Sequence, residues 1–128
     1  MVKGKILSLT TPYGQYDVRV AQKSYAINKA LAVVLYYNDC GEWLPYCNIT
    51  VNIESGETVR KFVDEDLAVS VGKRFACQYV DTNNCEWATR FLEKNKIAFF
   101  TGCFADSGFC SYPLYAFDLD RLEVLTRG

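Results

Sequence analysis

Residues 30 to 37 read ALAVVLYY, eight positions without a charged or amide side chain. An alternating segment can lie half in water, whereas a run apolar on both faces suits a central strand, paired on either side and covered above and below. It is also far too short for a membrane span, which needs about 20 residues. The flanking segments supply the neighbours. KILSL (5–9) is short and alternating, TPYG marks a turn, and QYDVRVAQKSYA (15–26) sets Tyr16, Val18 and Val20 on one face. After the central run, NDCGEW supplies turn residues. From Tyr46 to Ile53, Cys47, Ile49, Val51 and Ile53 then alternate with Tyr46, Asn48, Thr50 and Asn52. The first half of the chain is expected to be a meander.

Beyond the turn ESGE the pattern divides. TVRKFV suits a strand, DEDLAVSVG could begin a short helix, and RFACQYV reads as another strand, so residues 58–80 are left open between these elements. NNCEWATRFLEKN predicts the main helix: Asn83 can cap its start, Glu86 can reach back to the cap, and Trp87, Ala88, Phe91 and Leu92 form one apolar stripe. Asn95 is the expected left-handed C-terminal cap. IAFFTG and FCSYPLYAFDL predict two closing strands joined through GCFADSG, followed by a short helical turn near Leu119 to Leu122. The expected fold is a single α+β domain over residues 1–128: an antiparallel sheet of five to seven strands with one main helix packed on a face.

The chain contains no histidine, which removes Ser-His-Asp and Cys-His nucleophile activation and the commonest general base near neutral pH. Asp64, Glu65 and Asp66 are the only dense carboxylates, and adjacent acids at a turn point into water rather than converge; no catalytic residue is assigned. The six cysteines are separated by 6, 29, 7, 17 and 6 residues, with no CxxC pair, so neither a metal site nor a cofactor is expected. The N-terminus has no signal-peptide core, so the protein is expected in the cytoplasm with reduced thiols acting as small hydrophobes. The net charge of −1 is segregated: residues 1–35 carry +4, residues 36–70 carry −5, and the remainder balances. A small basic patch from Lys3, Lys5, Arg19, Lys23 and Lys29 is one reading of the early strands, but without an overall basic excess nucleic acid is the weaker partner class.

TGCFADSGFCSYPLYAF (101–117) crowds aromatics, glycines, cysteines and one acid into a hairpin-like stretch. Its polar tip, Asp106, Ser107 and Gly108, with Tyr112 and Tyr115 on the following strand, is a candidate binding surface. Asp81, Thr82, Asn83 and Asn84 are a second candidate group, able to bond the free N–H groups of a helix start or hold an anion there. Tyr112 and Tyr115 are an odd number apart, which places them on opposite faces of an ideal strand.

The run YVDTNNCEWATRFLEKN, then TG, then SGFCSYPLYAFDL resembles an uncharacterised family of small proteins from Gram-positive bacteria and their phages and plasmids. The matching positions are Asp81, Thr82, Asn83, Asn84 and Trp87; Thr101 and Gly102; and Ser107, Gly108, Phe109, Cys110, Tyr112, Pro113, Tyr115 and Phe117. The resemblance covers residues 79–119 and implies a setting without an activity: an accessory or counter-defence factor of a mobile element that occupies a host protein. With the residue-level reading, it points to a small non-enzymatic binding protein. The rivals are a small-molecule binder or enzyme using a polar pocket near the helix start, and a nucleic-acid accessory protein using the basic strands.

Overall fold

A computed structural model describes residues 2–127. The α+β class and the antiparallel pairing are as expected, but the strands form two four-stranded sheets rather than one. The first sheet is the predicted meander, in the order β1 (Leu7–Thr11), β2 (Gly14–Ser24), β3 (Leu31–Asp39), β4 (Glu42–Asn48). The central run is β3, paired with β2 and β4. Its residues Leu31, Val33 and Leu35 face the core with Val18 and Val20 of β2. Leu35 pairs with Cys47 but Tyr36 pairs with Pro45, so Tyr46 is an extra residue in β4. The bulge brings the Tyr46 ring against those of Tyr16, Tyr37 and Trp87, with centroids 5.8 to 5.9 Å apart.

The single strand expected over 46–53 is broken at Ile49. There the chain leaves the first sheet and continues as β5 (Thr50–Val51) in the second, ordered β5, β6 (Phe75–Val80), β8 (Cys110–Asp118), β7 (Ala98–Ser107). Ile49 serves both sheets: its N–H donates to Val33 O of β3 at 3.0 Å, and its carbonyl accepts from Asp81 N, just past β6, at 2.9 Å. Gln78 adds a second tie, donating from Nε2 to Leu31 O at 2.9 Å while its Oε1 accepts from Tyr79 N. A buried amide that leaves none of its groups unpaired costs little and fixes how the sheets meet.

The second sheet is covered on both faces. One face, with Val80, Tyr115 and Phe117, packs with the first sheet, α2 (Ala88–Lys94) and α3 (Leu119–Thr126) into the main core, which also holds Trp87, Phe91, Leu92, Leu122 and Leu125. The other face, with Cys77, Tyr79, Leu114 and Ala116, forms a smaller cluster with Ile53, and Val63 and Leu67 of α1 (Glu57–Ser70) pack against it.

The longest helix is therefore α1, in the segment where TVRKFV suggested a strand. Its covered side is not an apolar stripe. Arg60, only 7% exposed, sits there between Glu57 at 3.6 Å and Asp64 at 3.4 Å, while Phe62 (70%) and Val69 (87%) face out. Asp64 Oδ1 also accepts from the backbone N–H of Cys77 at 2.6 Å, supplying an acceptor that the two-residue β5 does not reach. Val59, Val63 and Leu67 do recur at helical spacing, but Arg60 and Asp64 share their side of the helix and interrupt the stripe.

The helix expected from Asn83 starts later. Residues 82–87 are turns, Trp87 takes the cap position without a side-chain bond, and neither Asn83 nor Glu86 closes a capping box. The predicted stripe is nonetheless buried at all four positions. Asn95 has φ −90° and donates from Nδ2 to Phe91 O, and the left-handed residue is Lys96, φ 57°. The expected terminal turn is the longer α3, capped by Asp118 Oδ1, which accepts from Arg121 N at 3.0 Å. Among the described residues, no helix is long and apolar enough to cross a membrane.

Candidate functional site

The predicted loop GCFADSG is mostly strand. Pairing runs on to Ser107 with Cys110, leaving a two-residue turn of Gly108 and Phe109 in which Gly108 has φ +63°. Further back, Phe100 pairs with Tyr115 and Phe104 with Pro113, so residues 101–103 form an irregularity around Gly102, φ +89°. Thr101 holds it in place, its Oγ1 donating to Leu114 O at 2.8 Å. Pro113 pairs with Phe104 just past this irregular segment, one residue beyond Leu114, the last β8 partner of β6, so its missing N–H removes no β6 ladder bond.

Antiparallel pairing sets the two candidate groups at one end of the second sheet: β6 ends there, β7 ends there and β8 begins there. Within that end they remain separate features. Asp81 is committed to its own loop, Oδ1 accepting from Asn84 N at 3.2 Å and Oδ2 from Asn84 Nδ2 at 3.0 Å, while its carbonyl accepts from Cys85 N. Asn84 is thus a donor in an Asx-type turn, a local structural role. Thr82 is half-buried and Asn83 exposed. At the hairpin tip, Asp106, Ser107 and Gly108 share a concavity of about 540 Å³ with Ile53, Glu54 and Ser55. Ser55 Oγ donates to the Asp106 carbonyl at 3.1 Å. That concavity is lined by two carboxylates and two hydroxyls but no cation, which gives it no means of holding an anionic substrate.

Tyr112 and Tyr115 do fall on opposite faces: Tyr115 belongs to the main core and Tyr112 packs on the smaller one. Tyr115 OH donates to Glu93 Oε2 at 3.0 Å, and burial, reinforced by that carboxylate, pushes its phenol up to about 12. Tyr112 is raised chiefly by its contact with the Cys110 thiol, with the Asp81 charge adding to it. Neither phenol is prepared to lose a proton near neutrality.

The cysteines are free, but only Cys77 and Cys85 are fully buried; Cys40 is exposed and the other three are half-buried. Cys47 and Cys85 share a thiol contact that lowers Cys85 and raises Cys47. Burial, and after it Asp64, raises Cys77. Among the described residues, no group of three or more cysteines and carboxylates is placed to hold a metal ion.

The hairpin also carries exposed phenylalanines, Phe100 and Phe104 on the face of Tyr115 and Phe99 on the opposite one. Phe99, Phe100, Phe104 and Phe109 are all exposed, and Phe109 stands free at the turn. Phe100 meets Phe104 edge to face at 5.2 Å and leans on Tyr115 at 5.7 Å, while Phe99 meets Phe75 at 5.4 Å. The residues were legible as FF and F at 99, 100 and 104, but a closing strand read from sequence carries no indication of its place in the sheet. β7 is an edge strand, which leaves these rings uncovered.

The profile of one family matches residues 62–128, just over half of the chain, from the middle of α1 through β6, α2, β7 and β8 to α3. No curated protein and no solved structure matches significantly. The matched segment contains the whole hairpin, the Asp81 loop and the Trp87 stripe, and on that match the chain belongs to the family described as Domain of unknown function (DUF4313).

Proposed function

We propose that this is a non-enzymatic binding protein that engages a protein partner through the aromatic flank of the β7–β8 hairpin. The observation that supports this reading is the exposed pair Phe100 and Phe104, in contact on one face of the hairpin, with Phe109 free at its turn. Clustered exposed aromatics on a soluble surface mark interaction sites, and aromatic residues dominate the energetics of protein interfaces. Phe100 and Phe104 already rest against each other, and Phe100 also against Tyr115, which reduces the ordering entropy lost on binding. Asp106 and Ser107 supply a polar rim beside Phe109. The setting, an accessory or counter-defence factor of a mobile element that acts on a host protein in the cytoplasm, rests on the resemblance of residues 79–119 to small proteins of Gram-positive bacteria, phages and plasmids.

The test compares captures from host lysate by the parent, by a Phe104→Ser/Phe109→Ser variant and by Asn83→Ala. A partner held by the parent and by Asn83→Ala but lost from the double variant, with melting temperature unchanged, is the expected result. Equal capture by all three would remove the hairpin from the reading. Loss of capture by Asn83→Ala alone, accompanied by a lost small-molecule thermal shift, would move the site to the Asp81 loop.

A further inference from the structure

The outer layer of the first sheet carries a different kind of site. Beside β2, where β1 has ended, a cavity of about 620 Å³ is lined by Lys3, Gln22, Lys23, Tyr36, Trp43 and Thr126 among others. Its size lies within the range of small-molecule sites, about 300–1,000 Å³. No carboxylate lines it. The Arg19 guanidinium lies 4.3 Å above the Trp43 ring, and Lys23 Nζ is 5.5 Å from the Tyr36 ring centroid and donates to Tyr36 OH at 2.9 Å. Among the described residues, Lys3, Arg19 and Lys23 form no ion pair, in contrast to Arg60, Lys73 and Arg74, each of which meets a carboxylate.

Arg19 has a structural duty that accounts for part of this. Its Nε donates to Gly4 O at 2.9 Å, holding the N-terminal segment against the sheet. That duty, and the bond from Lys23 to Tyr36 OH, leave the charges of Lys3 and Lys23 without a carboxylate partner. The net charge of −1 conceals them, because the +4 of residues 1–35 is offset by the −5 of residues 36–70, to which α1 contributes Glu57, Asp64, Glu65 and Asp66 against Arg60 and Lys61. Since α1 covers the far side of the second sheet, the cations of the first sheet are separated from those acids by the main core.

We propose that this cavity binds a nucleotide unit: a planar base against Trp43 or Tyr36, with Lys3 and Lys23 on its phosphate. Side by side, ring and cation match the two halves of that chemistry. Bases stack on aromatic faces and on guanidinium planes, and ammonium groups neutralise phosphate. The Thr126 hydroxyl, whose proton goes to Leu122 O at 2.8 Å, is left as an acceptor for a base edge. The unit can come from a free nucleotide or from a single strand. The site is independent of the hairpin, and its success or failure leaves the protein-binding reading untouched.

The experiment uses the full chain and the emission of Trp43; Trp87, the other tryptophan, is buried. Thymidine monophosphate and an oligothymidylate of about ten nucleotides are titrated separately, with inorganic phosphate as competitor. Quenching by either nucleotide probe, weakened tenfold or more in Lys23→Glu with an unchanged melting temperature, is the expected result. Lys3→Glu serves as the second variant. Oligonucleotide affinity at least tenfold above the mononucleotide, falling roughly sevenfold from about 50 to about 200 mM salt for two phosphate contacts, identifies a single strand. Equal affinities identify a free nucleotide. No quenching by either probe, binding undiminished in both lysine variants, or displacement by inorganic phosphate as effective as by the mononucleotide would overturn the proposal.

Discussion

The second sheet buries Tyr115 and Phe117 on one face and Leu114 and Ala116 on the other, and the two faces are held by different means. Toward the first sheet the cover is almost wholly apolar: Trp87, Phe91 and Leu92 with α2, Leu122 and Leu125 from α3, and the inward residues of β1 to β3. Toward α1 the apolar cluster is small, and polar bonds with fixed directions complete it. Asp64 accepts from Cys77 N, Arg60 lies between two carboxylates, and Tyr79 OH donates to Gly56 O at 2.7 Å. Gly56 shows how close this side is: a Cβ there would stand 2.5 Å from that hydroxyl. Apolar burial is roughly proportional to area and indifferent to direction, whereas a buried hydrogen bond is worth little net but costly to leave half made. One face is therefore stabilised mainly by how much it covers, and the other by which atoms meet.

Three substitutions in thermal or denaturant unfolding put that difference at risk. Trp87→Ala on the apolar face should have the largest effect, about 3 to 5 kcal/mol, enough to leave a small domain poorly folded. A loss under about 1 kcal/mol would mean that the stripe is not core-forming. Asp64→Ala removes two bonds at once, leaving Arg60 with one partner and the Cys77 amide with none. It should cost about 2 to 3 kcal/mol, although almost no apolar area is lost. A neutral result would make the α1 side as tolerant as the other and end the comparison. Tyr79→Phe should be the mildest, about 1 kcal/mol, because the ring stays and only the bond to Gly56 O goes. No loss at all would show that packing around the ring, and not its hydroxyl, sets the geometry.

This contrast also explains what could be read from the amino acids. The first sheet was legible nearly strand by strand, since Val18, Val20, Val33 and Leu35 face one side at a period of two and short turns separate the strands. The Trp87 stripe was legible for a similar reason. Residues 57–70 were not, because a helix that turns Arg60 and Asp64 inward beside Val63 and Leu67, and Phe62 and Val69 outward, blurs the signal that identifies helices. The start of α2 was misplaced by an Asn83-Glu86 spacing that fits a capping box, while Asp81 had already turned the chain. At the candidate site, the two tyrosines on opposite faces followed from counting residues. That β7 lies at the edge, baring its phenylalanines, depends on strand order, which no local pattern encodes.

Strand order has a consequence in time. Each strand of the first sheet pairs with the one just before it, so that sheet can close hairpin by hairpin as the chain emerges. The second sheet cannot, because β8 lies between β6 and β7 and Phe75 has no partner on that side until Asp118 arrives. Non-local pairing of this kind slows folding and prolongs the life of half-assembled states. During that interval β6 presents an open side with Cys77 and Tyr79 along it, and α1 has only part of a surface to dock on. A ribosome-bound chain stalled before β8 should thus hold a finished meander beside an unfinished sheet, the state in which this protein is most exposed to aggregation and most in need of a chaperone.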